Sequence, residues 1–286
     1  MDFKKFAQLI MIEQTLFALP FAWMGILFAG GGSLNHWFWA SLALFGARTA
    51  GMSFNRLLDA DVDAKNPRTA ERLLPKGEVT RFSVWILAGA ASGLLVFSSY
   101  MLNSLCFYLS FFAIFLLFTY SFFKRFSASA HFYLGFVEAA APIGGYLAIS
   151  GVFELRAFLP GVAIMFWIAG LDILYSLQDQ NFDRQEGLHS IPARYGRTKS
   201  LSISGLSYLA AVTALAAAGS MANLGAVYWV AVAAVAFIFI RQQVLSRTEG
   251  DELENSLGRI FYLNRFISPV LFLGMLLDAV LKNYFY

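Results

Sequence analysis

The spacing of oxygen-bearing side chains in one stretch of the sequence could support metal chemistry. The stretch FNRLLDADVDAKNPRTAERLLPKG, residues 54–77, places Asn55, Asp59 and Asp63 four residues apart. On a helix these side chains stack along one face. They follow directly on a long apolar run, where neighbouring acceptor groups repel one another unless a cation lies between them. The stretch therefore predicts a cation site at the end of a helix.

A second stretch repeats this pattern further along the chain. In YSLQDQNFDRQEGLHSIPARYG, residues 175–196, Tyr175, Asp179 and Asp183 follow the same spacing, and Asp179 lies 120 residues after Asp59. Membrane bundles are often built from duplicated halves. We therefore predict a single domain over residues 1–286, with an internal repeat whose motifs lie near residues 55–77 and 175–197.

Transmembrane helices must position these side chains. Hydrophobic residues make up 58% of the 286 residues and charged residues only 14%, whereas a soluble domain carries about 25% charge. We predict an all-α polytopic membrane protein, a bundle of nine transmembrane helices around a central cavity. The predicted spans are 6–29, 36–57, 81–102, 104–123, 131–151, 157–177, 201–219, 222–240 and 266–283. Asn103 alone separates the third span from the fourth, which requires a tight hairpin.

The distribution of basic residues predicts the orientation of the bundle. With the N-terminus inside, 18 of the 21 Lys and Arg residues fall on the inner side, as the positive-inside rule expects. The N-terminus and two acidic loops, residues 58–80 and 178–200, then face the cytoplasm across a bacterial inner or plasma membrane, with the C-terminus outside. The single cysteine, Cys106, excludes a disulfide framework. We expect no nucleic-acid partner, since no RNA- or DNA-binding pattern is present.

Basic residues accompany the acidic motifs, and this combination indicates a ligand made of a metal and an anion. The basic candidates are Arg68, Arg72, Lys124, Arg125 and Arg184. Mg²⁺ takes few ligands from protein and completes its shell with water and phosphate oxygens. Two facing Asp pairs could each hold one Mg²⁺ with a diphosphate between them, while basic groups neutralise the other oxygens. Solvated helix ends whose acids pair with nearby Lys and Arg are the purely structural alternative.

The apolar bundle beneath such a site indicates the rest of the substrate. The chain has 30 Phe, 12 Tyr and 6 Trp, so a diphosphate held above them implies a lipid tail. Metal and basic groups would stabilise the departing diphosphate, and aromatic faces would shelter the resulting allylic cation. An electron-rich second substrate would then attack that cation. We therefore hypothesise transfer of a prenyl chain.

The ordered set of motifs resembles the UbiA-type intramembrane prenyltransferase superfamily, over nearly the whole chain. The matching residues are Asn55, Asp59 and Asp63; Asn66-Pro67-Arg68-Thr69, Arg72, Pro75 and Gly77; Tyr120, Lys124 and Arg125; and Tyr175, Asp179 and Asp183. The catalytic Mg²⁺ ligands that the resemblance implies are Asp59, Asp63, Asp179 and Asp183. The substrate-binding residues that accompany them are Asn55, Arg68, Arg72, Lys124, Arg125 and Tyr175.

Two further segments indicate which class of acceptor substrate the chain uses. EQTLFALPFA and GLHSIPARYG look most like bacterial polyprenyltransferases that act on 4-hydroxybenzoate or a related quinone-ring precursor such as a dihydroxynaphthoate. The resemblance thus implies Mg²⁺-dependent transfer from polyprenyl diphosphate to an aromatic acceptor, in ubiquinone or menaquinone biosynthesis. Some relatives carry Lys just before the first Asp of the second motif. This chain has Gln178 there, and Arg184 could supply the missing diphosphate contact.

Other functions remain open at this point. Within the superfamily they are farnesylation of haem and prenylation of chlorophyll or archaeal lipids. A secondary transporter would place its ionisable residues near the midplane at broken helices, whereas these acids lie at the inner ends of spans. The pattern of CDP-alcohol phosphotransferases fails, because Leu57 stands where Gly is required and Lys65 where the last Asp is required.

Ionisable residues inside the predicted spans are further candidates, since such groups are costly in a membrane. Glu13 and Arg48 lie in the first two spans and could pair with each other or face the cavity. Glu138 and Asp172 allow the same two interpretations. Asp172 lies about two turns before Asp179 on one helix face, which makes it a candidate substrate-binding group on the acceptor side, or a base. The remaining candidates for substrate contact are His131 and His189.

Overall fold

The computed structural model describes residues 2–248 and 250–285, and every regular element in these ranges is helical. The helices are α1 (Phe3–Leu9), α2 (Ile12–Phe28), α3 (Leu34–Asp63), α4 (Arg81–Leu102), α5 (Ser104–Phe123), α6 (Ala130–Ser150), α7 (Leu155–Tyr175), α8 (Gln180–Gln185), α9 (Ile191–Met221), α10 (Ala226–Leu245), α11 (Leu253–Asn264) and α12 (Ile267–Phe285). Short 3₁₀ helices occupy Ser176–Asp179 and Gly250–Glu252. The predicted all-α fold is confirmed, while the single domain with an internal repeat stays a prediction.

Seven segments are long and apolar enough to cross a membrane, so this is an integral membrane protein. Helices α4, α5, α6, α9 and α10 qualify alone, α7 qualifies together with α8, and α11 together with α12. Helices α1 and α2 add an eighth segment if they count as one bent span. Among the described helices α3 is long but does not qualify, because polar residues such as Arg48, Thr49 and Asn55 interrupt its apolar run. The predicted number of nine spans is therefore not confirmed.

The first predicted span, residues 6–29, is broken near its start. Met11 adopts a left-handed conformation with φ of 51°, and α1 meets α2 at an angle of 59°. The side chain of Lys5 in α1 pairs with Glu78 at 3.3 Å, so α1 lies against the loop that follows α3. As a result the first turn of α2, including Glu13, lies at the exposed rim of the central cavity.

The hairpin predicted at Asn103 is confirmed. Asn103 ends α4 and begins α5 in extended conformation, with φ of −168°. Its side-chain oxygen accepts a hydrogen bond from the Cys106 N–H at 2.9 Å, which caps α5. Its side-chain amide donates to Leu147 O at 2.8 Å and thereby ties the hairpin to α6.

The long helices form a closed ring around one cavity. Successive helices pack together from α3 to α7, then α7 on α9, α9 on α10, α10 on α12, α12 on α2 and α2 on α3. Helices α2 and α6 approach closely because both present glycine: a Cβ on Gly145 would lie 2.0 Å from Ala22 O. The enclosed cavity measures about 1160 Å³ and is lined chiefly by α2, α3, α5, α6 and α7.

Candidate active site

The first acidic motif lies at the C-terminal end of α3, with Asn55 inside the predicted span 36–57 and Asp59 and Asp63 beyond it. Asn55 Nδ2 donates to Asp59 Oδ2 at 2.7 Å, as the spacing of four residues allows. Asp59 is only 2% exposed, and its Oδ1 accepts no hydrogen bond from the described residues. The nearest cations are Lys124 Nζ, 3.5 Å from Oδ2, and Arg125 Nη2, 3.7 Å from Oδ1. Burial raises the pKa of Asp59, and the charge of Lys124 opposes that shift.

The loop after α3 folds back over this helix end. Asn66 Oδ1 accepts from the Arg68 N–H at 3.0 Å, a turn typical of Asn before Pro. Thr69 Oγ1 donates to Asp63 O at 3.0 Å and fixes the turn to α3. Arg72 Nη1 then reaches Asp63 Oδ2 at 2.6 Å. The Asp63 carboxylate, the second in the first motif, is therefore paired with the cationic side chain of Arg72.

The two acidic loops are in direct contact. Arg68 binds Asp179 with two hydrogen bonds, from Nε at 3.0 Å and from Nη2 at 2.7 Å, and its Nη1 donates to Tyr175 OH at 2.9 Å. Asn66 Nδ2 adds a bond to Asp179 Oδ1 at 3.0 Å. Lys65 Nζ pairs with Glu186 at 2.6 Å on the exposed side. Residues from both motifs thus share one set of polar contacts at one end of the bundle.

The second acidic motif does not lie on one straight helix. Helix α7 ends at Tyr175, Ser176–Asp179 forms a 3₁₀ helix, and α8 carries Asp183. Gly187, with φ of 69°, ends α8 and lets the Leu188 N–H donate to Asp183 O at 2.8 Å. The chain then contacts the end of α5, where the His189 N–H donates to Lys124 O at 2.7 Å. Despite the change of helix type, Asp179 and Asp183 both face the central cavity.

Most of the site residues predicted from the sequence line this cavity, in the part of the chain that the structure describes. Those in the lining are Asn55, Asp59, Arg68, Arg72, Lys124, Asp172, Tyr175, Asp179 and Asp183. Asp63 is set back from it, paired with Arg72. Arg125 Nη2 donates to Leu58 O at 2.6 Å and Arg184 Nε to Ala193 O at 2.8 Å, so both guanidinium groups are engaged with backbone. Gln178 Nε2 likewise donates to backbone, at Tyr175 O.

The donor set suits Mg²⁺ only if a ligand supplies further oxygens. Within residues 2–248 and 250–285, no three acidic, His or Cys side chains are grouped closely enough to hold a metal on their own. Asp59 nevertheless offers a buried carboxylate oxygen that accepts no hydrogen bond from the described residues, which fits a cation. Mg²⁺ is commonly held by one or two carboxylates plus phosphate oxygens and water. The residues present therefore fit a metal that arrives with a diphosphate.

An ion pair lies deeper in the cavity. Arg48 on α3 pairs with Glu138 on α6, and both side chains are about 15% exposed. The sequence offered Glu13 as a partner for Arg48, and the structure pairs them differently: the bend before α2 leaves Glu13 74% exposed and 3.8 Å from Arg265. Arg48 Nε is buried and donates no hydrogen bond to any of the described residues. Arg48 thus lines the cavity and keeps one N–H donor that no described residue uses.

Asn66 is a site residue to which sequence reasoning gave no role. Its bonds to Asp179 and to the Arg68 backbone place it between the two acidic loops. The Asn-Pro dipeptide predicts a turn at this point, but it does not identify a partner more than a hundred residues away.

Comparison with known proteins assigns the family. A profile of the UbiA prenyltransferase family matches residues 18–265. The chain belongs to this family. It is 30% identical over 276 residues to the 4-hydroxybenzoate octaprenyltransferase of Pectobacterium atrosepticum, covering 96% of this chain and 92% of that protein. The apo structure of a UbiA homolog from Aeropyrum pernix matches with a TM-score of 0.86 and 33% identity, covering 93% of this chain and 98% of the homolog.

A more distant UbiA homolog, from Archaeoglobus fulgidus, has been solved bound to GPP and Mg²⁺. It shares the fold with a TM-score of 0.66 at 20% identity, over 95% of this chain and 99% of the homolog. The family match confirms the prediction that this chain is a prenyltransferase. The cavity between α2, α3, α5, α6 and α7, closed at one end by the two acidic loops, is its candidate active site.

Proposed function

We propose that this prenyltransferase moves a polyprenyl group from polyprenyl diphosphate to 4-hydroxybenzoate, with Mg²⁺ as its cofactor. The observation that carries the proposal is the direct contact between the two acidic loops at one end of a single apolar cavity. One diphosphate placed there would touch both motifs while its tail extends into the bundle. The names of the relatives support the acceptor.

The diphosphate end is built from both loops. Asp59, Asp63, Asp179 and Asp183 are the proposed Mg²⁺ ligands. When bound, the ion would neutralise charge that builds on the departing diphosphate. In this structure Arg68 and Arg72 pair with Asp179 and Asp63. We propose that they transfer to diphosphate oxygens when the substrate enters, and that Lys124 joins them from α5.

The chemistry is a substitution at an aromatic ring. The C–O bond between the first prenyl carbon and the diphosphate breaks, and its electron pair leaves with the diphosphate. A ring carbon of the acceptor then supplies a pair to form the C–C bond, and the ring loses a proton to water. Phe21 and Trp167 line the cavity in edge-to-face contact at 5.0 Å, and such faces stabilise a passing cation by about 0.5–2 kcal/mol each.

The cavity wall also suits the acceptor. A benzoate carboxylate can take the unused Nε–H of Arg48, since a guanidinium binds carboxylates well. Glu138 holds the other side of that guanidinium and so fixes its direction. An anionic aromatic acid would then lie beside the allylic end of the donor. Asp172 is proposed to face the same acceptor from α7.

The proposed location is the inner or plasma membrane of a bacterium. With the loops that carry both acidic motifs on the inner side, 18 of the 21 Lys and Arg residues fall on that side, so we place these loops on the cytoplasmic side. The N-terminus lies on that side as well, because α1 packs against the first of these loops.

The test is turnover by the purified protein in lipid nanodiscs. Polyprenyl diphosphate and Mg²⁺ are supplied with 4-hydroxybenzoate, a dihydroxynaphthoate or haem, and products are identified by mass spectrometry. We expect prenylated 4-hydroxybenzoate and diphosphate in equal amounts, both abolished by excess chelator. Prenylation of only the naphthoate or haem would overturn the acceptor, and activity that persists in chelator would overturn the metal.

A further inference from the structure

His131, at the start of α6, joins two elements through its two ring nitrogens. It is buried, with 4% exposure. Its Nδ1 lies 2.7 Å from Asp172 Oδ2 on α7, and its Nε2 lies 3.1 Å from the backbone nitrogen of Ile191, where α9 begins. A backbone N–H can only donate, so Nε2 accepts and carries no proton. The ring proton is therefore on Nδ1, and a neutral His131 donates it to Asp172.

This bond leaves half of Asp172 for a ligand. The carboxylate lines the central cavity and is about one-third exposed. His131 engages only Oδ2, and no donor in the described ranges of the chain forms a hydrogen bond with Oδ1. Because the imidazole is itself held at Nε2, it fixes the direction in which Oδ1 can accept.

We infer that His131 is a positioning residue that holds Asp172 so that Oδ1 accepts a hydrogen bond from the hydroxyl group of the aromatic acceptor. The inference rests on the proposed function and deepens it. A carboxylate bound to the hydroxyl raises electron density in the ring, which favours attack on the allylic cation. A carboxylate oxygen that needs a hydrogen-bond donor also discriminates against aromatic substrates that lack a hydroxyl group.

The two nitrogens of His131 have separable roles. The segment Leu188–Ile191 is docked at two points: the His189 N–H donates to Lys124 O at 2.7 Å, and the Ile191 N–H donates to His131 Nε2. Loss of Nε2 would loosen this segment. Because the segment also contacts Lys124, the change would affect the binding of the diphosphate. Loss of the Nδ1 donor alone would release Asp172 and affect the acceptor side.

Two substitutions separate these roles. His131→Asn places an amide N–H near the position of Nδ1 and keeps a donor for Asp172. His131→Gln places an amide oxygen near Nε2, so it keeps an acceptor for Ile191 and loses the donor to Asp172. Steady-state kinetics then give KM for each substrate separately.

We expect His131→Gln to raise the KM for 4-hydroxybenzoate about 10-fold, the value of one hydrogen bond to a charged group, while the KM for polyprenyl diphosphate stays within about twofold. His131→Asn should restore the acceptor KM. In an Asp172→Asn background, His131→Gln should change the acceptor KM by less than about twofold, because the two residues act as one unit. Effects that add in the double variant, or that raise both KM values equally, would overturn the inference.

Acceptor binding gives a readout that does not need a folded His131 variant. Calorimetry compares 4-hydroxybenzoate with 4-methoxybenzoate, which cannot donate, on the wild type and on Asp172→Asn. We expect the wild type to prefer the hydroxyl compound by about 10-fold and the variant to lose that preference. Equal preference in both proteins would overturn the inference while leaving the proposed function intact. Wild-type protein that binds neither compound would overturn both.

Discussion

Replacing Arg68 by Ala should have opposite effects on the two ligands of the site. The Arg68 guanidinium donates hydrogen bonds to both carboxylate oxygens of Asp179 and to Tyr175 OH. A metal ion without substrate must therefore displace a cation that is already bound. The Arg68→Ala variant removes that competing cation. It also removes a guanidinium group that would donate two hydrogen bonds to the diphosphate. Metal should then bind more tightly alone, and diphosphate more weakly.

The structure sets the size of both effects. The Arg68 side chain is 31% exposed and Asp179 is 14% exposed, so water screens part of their attraction. We take about 1–2 kcal/mol for the pair, less than two ideal charged hydrogen bonds would give. The variant should then bind metal alone about 5- to 30-fold more tightly. Loss of a bidentate contact should weaken prenyl diphosphate binding by about 10-fold or more.

Mn²⁺, detected by electron paramagnetic resonance, can replace Mg²⁺ in this assay. Titrations of the wild type and of Arg68→Ala are run with and without an unreactive polyprenyl diphosphate analogue. Lys65→Ala is the matched control, because Lys65 also joins the two loops through Glu186, yet it is 61% exposed and does not contact Asp179. We expect the control to match the wild type.

Weaker Mn²⁺ binding in Arg68→Ala, or equal changes in Arg68→Ala and Lys65→Ala, would refute this reasoning. The first result would mean that Arg68 organises the carboxylates for metal. The second would mean that loop contact in general controls binding, with no special role for the Asp179 pair.

Two further predictions concern the close helix packing and the acceptor side of the cavity. Gly145→Ala should lower the free energy of unfolding by about 1–3 kcal/mol, because its Cβ would lie 2.0 Å from Ala22 O, whereas Gly144→Ala, with open space around it, should be neutral in the same thermal unfolding assay. Equal melting temperatures for both variants would contradict the α2–α6 contact. Arg48→Lys keeps a charge for Glu138 but loses the Nε donor, so the KM for 4-hydroxybenzoate should rise about 10-fold; an unchanged KM would remove Arg48 from the acceptor site.

Apolar runs and local spacing made much of the fold predictable. Asn103 predicted its hairpin because a single residue between two apolar runs leaves the chain no other path. The spacing of Asn55 and Asp59 predicted their contact, since residues four apart on a helix are neighbours. Helix α3, however, extends beyond the predicted span, because hydropathy indicates the edge of the bilayer and not the end of a helix. Its last turn, up to Asp63, lies outside the apolar run.

Contacts between distant residues were not predictable in the same way. Arg68 and Asp179 are 111 residues apart, and several basic residues could have met that carboxylate. The sequence offered Glu13 as a partner for Arg48, and only the packing of α3 beside α6 selects Glu138, 90 residues away. The 3₁₀ helix that ends at Asp179 has no sequence signal of its own, and its position coincides with the contacts that Asp179 makes across the loops.

The most direct test of the central claim asks whether one diphosphate and its metal touch both acidic loops. Phosphorus electron–nuclear double resonance on Mn²⁺-loaded protein, with the unreactive polyprenyl diphosphate analogue, reports phosphate bound to the metal. We predict strong phosphorus coupling in the wild type and its loss in both Asp59→Asn and Asp179→Asn. Mn²⁺ bound without phosphorus coupling, or coupling unchanged in either variant, would contradict it.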